Sequence, residues 1–435
     1  MTALRPAQNL DEIWDIFDPS AVVDTNSDFY IQRSEDGLKK LTFNLKRNKR
    51  HFHGFLCGHV GSGKTTELRR LAEDDKINEL YFPLLVSAQA LLSDTVNLTH
   101  DALLVGMGLQ LIKQATAEQL NPSFEKELND WGIKLVKTFI HDESVAAEVG
   151  IKGLAWFAYF KANLKSRRDW KHQEKQILDP KVADLVGILN RMAIDFKNKT
   201  GKRLLVMVDD LEKGKSDAEK QMHTRLFSEY YSVLTQPTFN IVYTLPVYFK
   251  ALPDKLIDSD AIYSFSAVRI YDPEHKSKLI PPLNKQCDGY LLMERFISQR
   301  LEPTKALFAA GVMDELIRIG GGLFRDTDAV VTNAAYYAIE REAEQITLDD
   351  VEKAFNKLKK DYQPFIRGAA IDILRQVSER EKGWVDGVEP FLQSKAVVEY
   401  QNGDVWLDIR YVLKAYLKSL LDAEKKPKPP SIVAL

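Results

Sequence analysis

The sequence predicts an α/β fold: a parallel-sheet core interrupted by a helical insertion, then a helical lid and a small winged-helix-like unit. Three observations predict it. A glycine-rich turn, Gly58 to Thr66, joins a short apolar run (residues 53–57) to a charged helical pattern (residues 67–72). Further bulky apolar runs alternate with helical spacing, as parallel strands buried on both faces do. From Gly289 the pattern turns helical and closes on two strand-like runs about Gln401-Asn402-Gly403-Asp404, a hairpin signature.

In chain order, Phe29, Tyr30 and Ile31 precede a helical stretch over residues 37–46 and then the first strand. This apolar patch ahead of the loop suits one wall of an adenine pocket, or ordinary core. Residues 80–87 read as a second buried strand and 101–117 as a helix. Residues 121–180 break the alternation: a helical stretch at 125–140, an apolar segment at 145–160, then Lys161, Lys165, Arg167, Arg168, Lys171 and Lys175. Such a segment reads as an inserted helical hairpin with a solvated basic flank, or as a surface for a partner or membrane. A helix at 181–198 follows, then strands at 203–210 and 239–246 and an expected last strand at 267–271. The expected units are a core over residues 1–284, a lid over 285–360 in four helical segments, a winged-helix-like unit over 361–422 and a disordered tail over 423–435.

Composition sets limits. The chain has 435 residues, too many for one ordinary core, and a net charge of −2, so any nucleic-acid contact must be local. Its two cysteines, Cys57 and Cys287, exclude a disulfide framework and fit a reducing compartment. The N-terminus carries no apolar signal segment and no window is long and apolar enough for a membrane span, so the expected location is cytoplasmic.

Chemistry concentrates at the glycine-rich turn. Gly58-His59-Val60-Gly61-Ser62-Gly63-Lys64-Thr65 matches G-x-x-x-x-G-K-[ST] in its strand–turn–helix setting, the signature of the P-loop NTPase core. Gly58, Gly61, Ser62 and Gly63 would wrap phosphates with backbone N–H groups, helped by the positive end of the following helix. Lys64 would reach the β- and γ-phosphates, Thr65 would place its hydroxyl on Mg²⁺, and Thr66 follows in the same turn. The expected ligands are therefore ATP and Mg²⁺. Asp209 and Asp210 end a strand expected beside the loop strand or one place away. Asp209 would hold the metal, and Asp210 would orient or deprotonate water. Glu212 could take over if the chain bends at Leu211. Thr244, ending the neighbouring strand, could hold the lytic water. In the helical region, Gly320-Gly321-Gly322-Leu323-Phe324-Arg325 could aim the Arg325 guanidinium at a γ-phosphate. For a finger acting across subunits only Arg269, Arg295 and Arg300 can be nominated.

These residues, in this order, resemble the AAA+ ATPases: Walker A at Gly58 to Thr65, Walker B at Val206 to Asp210, a polar sensor-1 position at Thr244, and a sensor-2 arginine at Arg325. The resemblance is nearest the origin-recognition-like and STAND/KAP-like members, which often place a winged helix after the lid. It implies an ATPase, and Asp210 where a Glu is commoner implies slow turnover. A STAND-like chain would be a switch that oligomerises and activates a protein effector in bacterial antiviral defence or signalling. An origin-recognition-like chain would bind DNA through its winged helix. A scaffold that binds ATP with little turnover is a third reading. Residues 361–422 hold eight basic and ten acidic side chains, not the basic stripe that phosphate contacts require, which favours a protein contact there.

Overall fold

The computed structural model describes residues 5–33, 36–48, 50–91, 98–139, 174–214, 216–252, 256–366, 368–380 and 382–424. Five strands, β1 (His53–Gly58), β2 (Tyr81–Ser87), β3 (Arg203–Asp209), β4 (Asn240–Pro246) and β5 (Ile262–Ser264), form one sheet in the order β2-β3-β4-β1-β5. Every pairing is parallel. The carboxyl ends of the strands therefore share one edge, where open α/β sheets hold ligands. β3 lies one place from β1, with β4 between them, within the expectation for the strand carrying Asp209.

The strands read as continuous apolar runs because both faces are covered. Leu56, Leu205, Met207 and Val242 face a small layer formed by α2 (Asp36–Arg47) and α3 (Lys64–Glu73), through Leu38, Leu41, Leu45, Leu68 and Leu71. Their neighbours Phe55, Cys57, Val206, Val208, Ile241 and Tyr243 point to the opposite face and join a core that runs on into the C-terminal region. On that side α4 (His100–Gln114), α5 (Ser123–Phe139) and α6 (Glu174–Thr200) pack together, and the Trp131 indole N–H donates to the Lys181 carbonyl at 2.7 Å.

The short α1 (Leu10–Ile16) leaves the sheet and packs on the helical region. That region comprises α7 (Asp288–Ser298), α8 (Val312–Gly320), α9 (Phe324–Glu340) and α10 (Leu348–Tyr362), close to the four segments expected from spacing. A capping box between Thr347 and Asp350 starts α10. Next come α11 (Ala370–Glu379), α12 (Glu389–Gln393), the antiparallel hairpin β6 (Val397–Asn402) and β7 (Asp404–Ile409), and α13 (Tyr411–Glu424).

One expected strand is corrected. Residues 267–271 are not in the sheet; its last strand is Ile262–Ser264, paired with Phe55–Cys57. After Phe265 donates its N–H to the Cys57 carbonyl, the chain leaves the edge. The Ala267 N–H goes to the Glu399 carbonyl of β6 and the Val268 N–H to the Gly322 carbonyl. The apolar run is buried against the helical region and hairpin rather than a strand, so burial alone misled the strand assignment. The apolar segment at 145–160, most of its basic flank, and the tail from 425 lie outside the described residues. Among the described residues no helix is long and apolar enough to cross a membrane.

Candidate functional site

The loop between β1 and α3 lies at the carboxyl edge of the sheet and lines a cavity of about 300 Å³. Gly61 sits at φ +89°, and a Cβ there would stand 2.7 Å from the Arg325 Cβ. This close approach joins the loop to the start of α9, where the Arg325 N–H points at the Gly61 carbonyl at 3.4 Å. Gly322, at φ +76°, is likewise required: a Cβ would collide with the Val268 carbonyl at 1.9 Å. The glycine turn thus brings Arg325 over the loop, and its Nε–H donates to the Pro19 carbonyl at 2.9 Å.

Lys64 is buried and donates to the Gly58 and His59 carbonyls, each at 2.9 Å. It also meets Glu212 Oε1 at 3.0 Å, while Glu212 Oε2 is buried without a partner. Asp209 stands beside Thr65, whose side chain hydrogen-bonds it. Burial, then the charges of Glu212 and Asp210, push the Asp209 carboxyl up to about 6. An oxygen pair already in contact, with negative charge that a cation would relieve, fits Mg²⁺. A loop lined by glycine N–H groups, a buried ammonium and the buried, unpartnered Ser62 hydroxyl fits a polyphosphate.

The two acids after Asp209 part company. Asp210 has φ +70°, and its carboxylate takes the Ser87 hydroxyl at 2.6 Å and the Lys213 ammonium at 2.6 Å. The chain bends there, the Leu211 N–H donates to Thr244 Oγ1 at 3.0 Å, and Glu212 swings in to Lys64. Against expectation, Thr244 is not among the cavity residues; it is fully buried and holds the bend. Asp210 lines the cavity but is tied to β2 and Lys213, so the carboxylate nearest Lys64 is Glu212.

Phe29, Tyr30 and Ile31 all line the cavity, together with Thr66 and Asp209. The Tyr30 hydroxyl donates to Glu67 at 2.9 Å. Of the arginines nominated to act across subunits, Arg300 is corrected: it is 3% exposed and lines its own chain's cavity, stacked on Phe296 at 3.9 Å. Arg269 pairs with Asp272 at 2.9 Å, and Arg295 is exposed on α7.

Several residues escaped sequence reasoning. The buried Arg33 donates to the Ser62 carbonyl at 2.6 Å and the Ser266 carbonyl at 2.7 Å, over the Phe265 ring. Its place just after Phe29–Ile31 was the available signal. His59, inside the motif, accepts the Glu399 N–H on its Nε2 at 2.9 Å. Burial, reinforced by Lys64, holds His59 well below the ordinary histidine range, so it is neutral. The Glu399 carboxylate gathers Lys250 at 2.6 Å and Ser266 at 2.7 Å. Tyr400 donates to the Gly321 carbonyl at 2.8 Å, and Asp326 is buried between Lys395 and Arg410. The C-terminal hairpin therefore touches both the loop after β1 and the glycine turn.

No family model matches the chain, and no curated protein matches it in sequence. Solved structures are similar over nearly the whole chain. Cdc6p from Pyrobaculum aerophilum shares 13% identity, covering 95% of this chain and 98% of its own, with a TM-score of 0.38. A chain of the Drosophila ORC bound to DNA shares 12%, covering 94% and 91%, with a TM-score of 0.41. The Thermotoga maritima RuvB Holliday junction branch migration motor shares 10%, covering 91% and 96%, with a TM-score of 0.33.

Proposed function

We propose that this chain is an ATP-binding and slowly hydrolysing switch, in which the nucleotide state of the phosphate loop sets how the lid and C-terminal hairpin sit on the sheet. The observation that supports it is the bracing of one loop from two sides: Gly61 by the start of α9, and His59 by Glu399 of the hairpin. A ligand moves such an equilibrium only by its unequal affinity for the two arrangements. A triphosphate entering the cavity must displace Lys64 from Glu212 and the loop carbonyls, which alters the loop that the hairpin grips.

In this reading Lys64 and the loop N–H groups bind the β- and γ-phosphates, and Arg325 senses the terminal one. Thr65 and Asp209 would hold Mg²⁺, which when bound supplies charge neutralisation at the transferring phosphoryl group. Glu212 takes the water-activating role, Thr244 positions it through Leu211, and Asp210 fixes the bend. Phe29, Tyr30 and Ile31 wall the nucleoside. The released hairpin or lid would present a surface to a second copy or a protein effector, and the STAND-like resemblance sets this in defence or signalling. A DNA-binding role finds less support, because Lys395, Arg410 and Lys414 of the terminal unit are buried in internal ion pairs.

Hydrogen exchange on the full chain tests the switch. Adding ATP with Mg²⁺ should change protection over residues 394–410, and Lys64→Ala should abolish both binding and the change. Nucleotide binding with an unaltered hairpin would remove the proposal. Glu212→Gln should retain binding and lose hydrolysis by about 100-fold or more, whereas Asp210→Asn should lose far less; the reverse order would return the role to Asp210.

A further inference from the structure

Away from the phosphate loop, four cavity-lining residues are knit together. The Arg300 guanidinium stacks on Phe296 at 3.9 Å and lies over Phe29 at 5.4 Å, and its charge acts on Asp328, one helical turn beyond Arg325 on α9. Arg300 donates to the Phe296 carbonyl at 2.7 Å. Asp328 has no such anchor. Its Oδ1 is buried without a hydrogen-bond partner. Leaving a buried polar atom unsatisfied is costly, so its place in a cavity wall points to an occupant. Burial pushes this carboxyl up to about 7, against the opposing pull of Arg300.

Phe29, Phe296, Arg300 and Asp328 line the same cavity as the loop, so a nucleotide whose phosphates lie on the loop shares its pocket with this group. We propose that Asp328 is the residue that reads the nucleoside, its carboxyl taking an N–H or O–H donor from the purine amino group or the ribose. The proposal rests on the reading of the cavity as a nucleotide site. Aromatic walls such as Phe29 and Phe296 accept any base, whereas a site built to pair a donor rejects the analogue that lacks it. Asp328 thus supplies the discrimination that the apolar walls cannot.

The test is equilibrium binding by the full chain with Mg²⁺ of ATP, inosine triphosphate, and 2′- and 3′-deoxy-ATP, using the unaltered protein, Asp328→Ala and Asp328→Asn. The unaltered chain is expected to bind one class of analogue about tenfold or more weakly than ATP. Loss on inosine triphosphate assigns the contact to the amino group, and loss on a deoxy analogue assigns it to the ribose. Asp328→Ala should bind ATP about tenfold more weakly and lose the discrimination. Asp328→Asn keeps the shape, guards against misfolding and should alter the ratios while circular dichroism stays the same. Unchanged ratios in both variants, or no discrimination by the unaltered chain, overturn the proposal while triphosphate binding stands. Failure to bind any of the four nucleotides would instead overturn the nucleotide-site reading itself, and this proposal with it.

Discussion

At the scale of single residues, the site is governed by which charges are confined together. Asp209 is buried beside Glu212 and Asp210, and its folded pKa of about 6 lies above the ordinary 3.8. The sign follows directly. The folded chain binds this proton more tightly than the unfolded one, so stability falls as pH rises from about 4 through 6. The shift corresponds to roughly 3 kcal/mol at most above that window. Asp209→Asn should therefore raise the melting temperature of the nucleotide-free chain at pH 8, with the gain vanishing near pH 4, while Mg²⁺-dependent nucleotide binding is lost. A lower melting temperature at pH 8 would show that the carboxylate is not strained. The same confinement explains why Lys64 rests on Glu212: each satisfies a charge that burial would otherwise make costly.

At the scale of elements, the decisive contact is between the loop after β1 and the first turn of α9. Gly61→Ala would force a side chain into φ +89° and into the Arg325 Cβ 2.7 Å away. Strain and displacement together should cost about 1–3 kcal/mol. Thermal melting should show the loss, and nucleotide titration should show weakened affinity, because the loop and the arginine move apart. An unchanged affinity would mean that α9 does not form part of the site. The bend after β3 has the same character. A positive φ at Asp210 and the Thr244–Leu211 bond exchange the acid that faces Lys64, making Glu212 the carboxylate that meets it.

At the scale of the whole molecule, the C-terminal hairpin is wedged against the site through Asp326. Burial raises its carboxyl, but Lys395 and Arg410 outweigh that and hold it at about 2. This stabilisation is present above about pH 4 and is lost as pH falls through 2. Removing the shared carboxylate leaves two buried cations, so Asp326→Ala should destabilise the chain by about 3–5 kcal/mol in urea unfolding at pH 7. At pH 2 the difference should narrow. The variant should also raise hydrogen exchange across residues 394–410, and an unaltered hairpin would show that the ion trio does not hold it.

The sequence by itself determined the glycine cradle, Lys64, Thr65, Asp209, the arginine after the glycine turn, and nearly every helix and strand that carries them. Those features are local: backbone sterics, side-chain type and period act over a few residues and leave their mark on neighbours in the chain. Tertiary structure alone decided that β5 is Ile262–Ser264, that Glu212 rather than Asp210 meets Lys64, that Arg300 faces inward, and that Glu399 binds a histidine 340 positions away. Each of these depends on which buried group finds a partner, and partners are chosen by distance in space, which no local pattern encodes.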